Sequence, residues 1–389
     1  MDLTRHKIGI VLSGGGIRAT IYHLGVLKWL AENNLMESIS YISSVSGGSL
    51  CAGLVYAHNG NNWPGSRHFL DQVLPEIEKT ILGSDIQVSA LLRMFPLWIF
   101  RRVNLLAKVI SKKWGVRGAM PDLGKSPIWC ANCTTYETGR RFGITQDTMG
   151  DIVIGYAKDH NLPVSDAMAA PCGFPFLIGP YALRRGKYSW NASAFESSIV
   201  VREDPVPGGR NFHLWDGGVF DNLGLEALFH ISDRPSGGHF SQGIDYIIVS
   251  NAGAFSRFRR RAFSSRARRL LDIAMDQVGI LRIRSIVGHI RQENNGMYLQ
   301  IGDSASRILR NSALDPNIVQ QTIAESLPNH QAAFAKNYST TLRRPSKADY
   351  KVLMRHGYEV AKCVSLVAAN KNLYSITAIP NGNGDISPI

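Results

Sequence analysis

A serine between small residues is the first feature of the chain that suggests chemistry. Residues 44–48 read Ser-Val-Ser-Gly-Gly. A serine at a tight turn from a strand into a helix is a nucleophile elbow, and its usual pattern is G-x-S-x-G. Ser46 takes the nucleophile position, and Ser44 replaces the first glycine, where a serine is small enough to fit. The alternative interpretation is an ordinary loop rich in serine and glycine.

A glycine-rich segment precedes this serine, and residues 13–19 read SGGGIRA. Consecutive glycines leave backbone N–H groups unobstructed, and at a helix N-terminus such donors face phosphate or the oxyanion of an acyl-transfer reaction. The spacing of Gly14, Gly16 and Ala19 also matches the dinucleotide-binding pattern. That function needs an acidic residue at the end of the second strand, where this chain has serines. The segment therefore favours an anion or oxyanion site.

A third segment, residues 215–222, contains an aspartate followed by two glycines. Asp216 in this setting is often part of a simple turn. Beside a serine nucleophile, however, it would supply the missing general base. Asp221 follows closely, and we expect it to be the N-cap of a helix over residues 222–230 rather than a second catalytic acid.

Other nucleophiles and bases have weaker support from the sequence. Cys172 could act as a thiol nucleophile, but no partner motif accompanies it. Three histidines could complete an ordinary triad, although none stands in a recognisable motif and we expect surface or core positions for them: His230, His239 and His289.

Together, the three segments resemble the patatin-like phospholipase family. Their order is the family's order: a glycine loop followed by an arginine, a serine elbow, and a distant Asp-Gly-Gly. Residues 164–175 also resemble the family's small-residue helix before the aspartate. The resemblance covers roughly residues 7–255, and the Arg-rich helix and the C-terminal helix look like those of some bacterial members.

This resemblance implies a lipid acyl hydrolase, of phospholipase A or lysophospholipase type, that cleaves carboxylic esters through an acyl-enzyme. It implies that Ser46 is the nucleophile and that Asp216 is its base, with no intervening histidine. The implied oxyanion hole consists of Gly14, Gly15 and Gly16. Arg18 stands where the family has a basic residue, which would bind substrate or its phosphate. No metal or cofactor is implied. Two departures are Ser44 in the elbow and the Ala-Thr pair at 19–20, where a glycine is frequent.

The elements around these segments alternate between strand and helix. Residues 8–12 are a short apolar run bounded by glycine, and apolar residues then recur at helical spacing from Ile21 to Leu30. Residues 39–45 are strand-like, and residues 50–57 begin a second helix. This order predicts a parallel sheet covered by helices. The resemblance implies a three-layer α/β/α fold with a central, mostly parallel sheet and extra helices.

Farther along the chain, residues 64–125 break the alternation and predict a helical insert. Residues 91–102 combine aromatic and aliphatic side chains with arginine, as in an interfacial segment or in a helix packed on the core. Strand-like runs follow at 128–136, 151–156, 198–202, 212–215 and 245–250. Residues 257–291 look helical and contain ten arginines and no lysine. We expect one domain over residues 1–369 and a flexible tail over residues 370–389.

The charge balance predicts an anionic partner. The chain has a net charge of +13, which suits a membrane surface, a nucleic acid or a phosphorylated substrate. Few aromatic residues accompany the arginines, which argues against nucleic acid and for an anionic membrane surface. A second hypothesis is a protein that binds anionic lipids or polymers and has an inactive hydrolase core.

Cysteine use and apolar runs predict a cytoplasmic protein, and the positive charge predicts that it associates with membranes peripherally when active. The five cysteines do not suggest a disulfide scaffold, and the single CxxC at 130–133 lacks the second pair that zinc usually needs. The apolar run at 8–12 is too short for a signal peptide, and no run is long enough to span a membrane.

Overall fold

Within the residues that the structure describes, the strands form a ten-stranded sheet and a separate two-stranded hairpin. The structure is a computed structural model that describes residues 3–91, 102–175, 178–191, 209–232, 237–253 and 266–369. The strands of the large sheet are β1 (Ile8–Leu12), β2 (Ile39–Ser44), β3 (Ile128–Thr135), β4 (Arg141–Ile144), β5 (Thr148–Asp151), β6 (Gly155–Lys158), β7 (Tyr181–Arg184), β8 (Asn211–Asp216), β11 (Tyr246–Asn251) and β12 (Gly296–Gln300). The hairpin consists of β9 (Phe229–Ile231) and β10 (Gly238–Phe240).

The core of the large sheet is parallel, in the order β12-β11-β1-β2-β3. Antiparallel strands β4, β5 and β6 extend it beyond β3, and β8 pairs with both β3 and β7. The predicted strands at 128–136, 212–215 and 245–250 are confirmed as β3, β8 and β11. The strand predicted near 198–202 lies outside the described residues.

The continuous strand predicted over residues 151–156 is wrong at its centre, because residues 152–154 form the turn between β5 and β6. The Asp151 carboxylate accepts the N–H groups of Val153 and Ile154 at 2.8 and 2.6 Å. An aspartate that bonds the backbone two or three residues ahead stabilises a turn, and here this contact outweighs the apolar character of the segment.

Helices cover both faces of the sheet. They are α1 (Gly16–Glu32), α2 (Gly47–Ala57), α3 (Ser66–His68), α4 (Leu74–Gly83), α5 (Ile86–Leu91), α6 (Arg102–Lys113), α7 (Val164–Ala169), α8 (Gly218–Asp221), α9 (Arg266–Glu293), α10 (Ala305–Leu309), α11 (Pro316–Glu325), α12 (Asn329–Asn337) and α13 (Lys347–Ala369). In β1, the side chains of Ile8, Ile10 and Leu12 join one buried cluster with α1, α2 and α13, while Val11 joins another with α9. This alternation confirms the α/β fold with a central sheet between helical layers.

The segment over residues 64–125 contains α3 to α6, and a π-helical turn joins α3 to α4. Its apolar residues, among them Phe69, Ile77 and Leu106, are buried in the same cluster as α1. Residues 92–101, which include most of the aromatic segment, lie outside the described residues, as do 254–265 and 370–389. The roles predicted for those segments stay predictions.

Candidate active site

Strands β2 and β8 end close to each other along one edge of β3. Ser44, the last residue of β2, lies opposite Ala131, and Asp216, the last residue of β8, lies opposite Cys133. The two strands run in opposite directions, so their carboxyl ends meet about two residues apart, or about 7 Å along β3. This register brings the residues after β2 to the end of β8.

Ser46 occupies a strained turn between β2 and α2. Its backbone has φ 49° and ψ −117°, a combination that costs a residue with a side chain about 1–3 kcal/mol. The turn is tight because a Cβ on Gly48 would lie 2.1 Å from the carbonyl oxygen of Leu12 in β1. This is the conformation of a nucleophile elbow.

Ser44, which replaces the usual glycine of the elbow, is built into a buried hydrogen-bond network. Its hydroxyl accepts the indole N–H of Trp129 at 2.8 Å and lies 2.9 Å from the hydroxyl of Ser49. The serine therefore fits because the neighbouring strand and helix provide its polar partners.

Asp216 is buried, and its backbone and carboxylate are both fixed by hydrogen bonds. Its N–H donates to the carbonyl of Gly173 at 3.0 Å, and its carbonyl accepts the Thr134 hydroxyl at 3.1 Å. The N–H of Gly218 donates to the carboxylate at 2.8 Å. A Cβ on Gly217 would lie 2.2 Å from the carbonyl oxygen of Asn132. The first glycine of the Asp-Gly-Gly segment thus permits close packing, and the second binds the carboxylate.

The electrostatic state of Asp216 suits a base. Burial raises the pKa of Asp216 to about 7, while hydrogen bonds from the Gly218 N–H and the Ser46 hydroxyl act in the opposite direction. The Ser46 hydroxyl thus lies close enough to the Asp216 carboxylate to lower the pKa of Asp216. A base with a pKa near neutrality takes up a proton efficiently near physiological pH.

Cys172 is also a neighbour of Ser46, which the sequence did not indicate. Burial, and then the negative charge of Asp216, raise the pKa of the Cys172 thiol, although a hydrogen bond with Ser46 opposes this shift. A protonated thiol is a poor nucleophile, so the electrostatics favour Ser46 over Cys172 for attack.

The N–H groups of the glycine loop differ in whether they already have a hydrogen-bond acceptor. The N–H of Gly14 donates to the carbonyl of Asn222 at 3.0 Å and is therefore engaged. The N–H groups of Gly15 and Gly16 have no acceptor within the part of the chain that the structure describes. The same holds for Gly47, which sequence reasoning missed although the residue after an elbow nucleophile usually donates to the oxyanion. These three N–H groups are the candidate oxyanion donors, and Gly14 lines the site.

The side chain of His23, in α1, contacts Ser13, the residue that precedes the three glycines of the loop. Its ring lies 3.0 Å from the carbonyl of Ser13 through Nε2 and 2.7 Å from the Ser250 hydroxyl through Nδ1. Since a carbonyl can only accept, Nε2 carries the proton and Nδ1 accepts from Ser250. Burial lowers the pKa of His23 to about 4, so the ring is neutral. The only sequence signal for this role is its position seven residues after Gly16 on the same helix.

Arg18 does not have the predicted surroundings of a phosphate ligand. Its side chain is buried, and its guanidinium donates to the carbonyl oxygens of Ala252, Lys336 and Tyr338 at 3.0, 3.1 and 2.8 Å. These contacts tie α1 to the chain after β11 and to the end of α12. The geometry favours a structural role over the predicted contact with substrate.

The three candidate histidines lie in or beside the β9–β10 hairpin. The rings of His230 and His239 are 5.6 Å apart, and His289 packs against Phe229 and Phe240. Among the described residues, no histidine has a hydrogen bond to Ser46 or Asp216. A His-containing triad therefore has no geometric support in this part of the structure.

The helix predicted after Asp221 is wrong. Asp221 ends α8, and its carboxylate accepts the N–H groups of Leu223 and Glu226 at 3.1 and 3.0 Å. These bonds turn the chain into a short 3₁₀ segment and then into β9. Arg282 of α9 lies 3.7 Å from the same carboxylate and also forms an ion pair with Glu226. One arginine of the Arg-rich helix therefore stabilises the segment that follows Asp216.

The two cysteines of the CxxC segment cannot share a metal ion. Cys130 joins the buried cluster beneath α9, whereas Cys133 joins the cluster on the opposite face of the sheet. Residues three apart on a strand point to opposite faces.

Comparison with known proteins gives the following similarities. A family model described as patatin-like phospholipase matches residues 10–229. The mouse protein cytosolic phospholipase A2 gamma is 43% identical over 54 residues, which are 14% of this chain and 9% of that protein. The structure of human GIVD cytosolic phospholipase A2 aligns with a TM-score of 0.53 at 13% identity, and the alignment covers 95% of this chain and 60% of that chain. The chain thus spans less than two thirds of the length of both relatives, and the structural likeness shows the fold alone.

Proposed function

The chain belongs to the patatin-like phospholipase family, and on that premise we propose that it is a lipid acyl hydrolase with a Ser46–Asp216 dyad. The substrate class we propose is a phospholipid or lysophospholipid. The observation that carries the proposal is the meeting of β2 and β8 on one edge of β3, which sets a strained serine beside a buried carboxylate of raised pKa. Such a pair can activate a hydroxyl without a histidine.

In the acylation step, the Ser46 hydroxyl oxygen attacks the ester carbonyl carbon, and its proton passes to the Asp216 carboxylate. Negative charge develops on the carbonyl oxygen, where the N–H groups of Gly15, Gly16 and Gly47 are proposed to stabilise it. One such donor is typically worth about 3 kcal/mol. The bond from carbon to the alcohol oxygen then breaks, and the proton on Asp216 goes to the departing alkoxide.

In the deacylation step, water takes the place of the released alcohol. Asp216 accepts a proton from this water as its oxygen attacks the acyl-enzyme carbonyl carbon. The ester bond to Ser46 breaks, the proton returns to the serine oxygen, and a fatty acid leaves. Each step thus uses Asp216 first as a base and then as an acid.

We also propose that the enzyme works at anionic membranes as a peripheral protein. Acyl chains are buried in a bilayer, so the enzyme must dock before it can reach them. Within the described residues, no helix combines the length and apolarity that crossing a bilayer requires. The net charge of +13 supports attraction to anionic lipid.

The test is fatty-acid release from a mixed phospholipid panel, together with covalent labelling by a fluorophosphonate. Ser46→Ala and Asp216→Asn should abolish release, and Ser46→Ala should abolish labelling. Ser40→Ala, on the same strand but remote from the elbow, is the matched control and should retain both. A wild type that binds vesicles but never releases fatty acid would support the alternative of a lipid-binding protein with an inactive core. A histidine variant as inactive as Asp216→Asn would replace the dyad by a triad.

A further inference from the structure

The Arg-rich helix α9 is longer than the sheet that it covers. Its 28 residues span about 42 Å, whereas the six residues of β11 span about 20 Å. Buried apolar side chains of α9 begin only at Ile283 and continue to Ile290. Between Arg266 and Arg282, none of the described side chains is buried. The first half of the helix therefore projects beyond the sheet.

The projecting half lies at the same end of the sheet as Ser46. Helix α9 connects β11 to β12, which are parallel to β1 and β2. It therefore begins near the carboxyl edge of the sheet and returns to the amino edge. The glycine loop and the elbow also follow the carboxyl ends of β1 and β2. Arg282 lies at the junction between the projecting and packed halves. It contacts Asp221 and Glu226, which follow Asp216 and strand β8.

One face of the projecting half is apolar and exposed. Leu270 is 69% exposed, Ile273 41%, Val278 38% and Leu281 62%. At 100° per residue these four side chains fall within about 140° around the helix axis. They are four of the eleven large apolar residues exposed in the described chain. More than a third of these exposed apolar residues therefore lie on one helix.

Two arginines bracket this apolar face. Arg266 and Arg284 are exposed and fall on the same side of the helix as Leu270 by their spacing. Neither forms an ion pair with any residue that the structure describes. The acidic residues of this half, Asp272 and Asp276, lie on the other side and are only partly exposed. An anionic partner thus meets no acidic side chain of α9 on this face.

We infer that the outward face of α9 is a docking surface for an anionic phospholipid bilayer. Leu270, Ile273, Val278 and Leu281 enter the boundary between headgroups and acyl chains, while Arg266 and Arg284 contact lipid phosphates. An amphipathic helix with leucine on one face and flanking arginine is suited to this interface. A second copy of this chain is a poor occupant, because it also has a net charge of +13. The inference rests on the proposed function for its choice of lipid, since the surface lies at the edge that contains Ser46.

The experiment uses the full chain with Leu270→Gln and Leu281→Gln combined. Glutamine keeps helix propensity, and both side chains are exposed, so thermal melting should match wild type. Sedimentation with phosphatidylcholine vesicles that contain phosphatidylserine should show binding weakened about tenfold or more. Hydrolysis of a soluble short-chain ester should stay within about twofold of wild type, since the dyad is untouched. The matched control combines Ile318→Gln and Phe334→Gln, which are 49% and 40% exposed on α11 and α12, and it should bind like wild type.

An independent measurement places an environment-sensitive fluorophore on Leu270→Cys. Its emission should shift to the blue with vesicles that contain phosphatidylserine, and the same label on Ile318→Cys should not respond. Unchanged vesicle binding in the double variant, equal loss in the control, or an unresponsive Leu270 label would overturn the docking surface. Intact docking without hydrolysis of any ester by wild type would instead overturn the proposed function and leave the docking surface standing.

Discussion

The N–H of Gly14 donates to the carbonyl oxygen of Asn222 at 3.0 Å. This bond joins the glycine loop, which follows β1, to the segment that follows Asp216. The two halves of the proposed machinery are therefore connected by the backbone itself. A shift of one should displace the other.

Gly14→Ala tests this connection. An added Cβ would lie 2.4 Å from Oδ1 of Asn222, so the Asn222 side chain must move and the loop with it. We expect kcat on a soluble ester to fall about tenfold or more. Gly279→Ala, where nothing lies within 4 Å of an added Cβ, is the control and should leave kcat unchanged. Equal activity in the two variants would contradict a strict spacing between the loop and Asn222.

The pKa of Asp216 predicts how activity depends on pH. Burial raises this pKa to about 7, and only the ionised carboxylate can take the Ser46 proton. We expect kcat/KM for a soluble ester to rise with pH through about 7 and then to level off. A profile that is flat from about pH 5 to about pH 9 would show that the base is another group.

The same pKa predicts a cost in stability. In the unfolded chain the Asp216 carboxyl has its ordinary pKa of 3.8, so between about pH 4 and pH 7 the folded protein holds a proton that the unfolded chain has lost. The free energy of unfolding therefore decreases as pH rises through this window. Asp216→Asn removes the dependence, and at pH 8 it should be more stable than wild type by on the order of 2–4 kcal/mol.

Thermal melting at several pH values measures this difference, which should shrink toward pH 4. Asp245→Asn serves as the control, because Asp245 is exposed and pairs with His6 at the surface. If Asp216→Asn were less stable than wild type at pH 8, the carboxylate would be stabilised by its hydrogen bonds more than burial destabilises it.

The strained backbone of Ser46 makes a separate prediction. Ser46→Ala and Ser46→Gly both remove the hydroxyl, but only glycine adopts φ 49° and ψ −117° without steric cost. We expect both variants to be inactive and Ser46→Gly to be more stable than Ser46→Ala by about 1 kcal/mol in chemical denaturation. A less stable glycine variant would mean that the elbow is not strained.

His23 is expected to act as a positioning residue. His23→Ala removes the donor to the Ser13 carbonyl, so the glycine loop should lose its alignment with the developing oxyanion. We expect kcat to fall about tenfold with little change in KM. Because the pKa of His23 is lowered to about 4, the size of this effect should be constant from about pH 6 to about pH 9. A rise in KM with kcat unchanged would instead point to a role of His23 in substrate binding.

Short-range patterns in the sequence predict the parts of this fold that lie close together in the chain. The run at 8–12, the turn at Ser46 and the next helix are local, and each appears as expected. The sequence does not predict the turn at 152–154, because the side chain of Asp151, and not the apolar character of the segment, determines its backbone conformation.

Long-range contacts could not be read from the sequence. Arg18 looks like a substrate ligand beside the glycine loop, yet its acceptors at 336 and 338 are more than three hundred residues away. The pairing of β8 with β3 also joins distant segments, since Asp216 and its partner Cys133 are 83 residues apart. The sequence therefore suggests Ser46 and Asp216 as partners but provides no distance between them.

The pairing of β8 with β3 also means that β3 sets the distance between the ends of β2 and β8, although β3 contributes no catalytic side chain. Ala131 pairs with Ser44 and Cys133 pairs with Asp216, so a single residue of β3, Asn132, separates the two contacts. One residue more or fewer there would change the gap by about 3.3 Å and reverse which face the following side chains occupy. The chain between β3 and β8, by contrast, leaves this edge and returns to it, so its length does not set the gap. Relatives should therefore tolerate insertions after residue 135 and exclude them between 131 and 133.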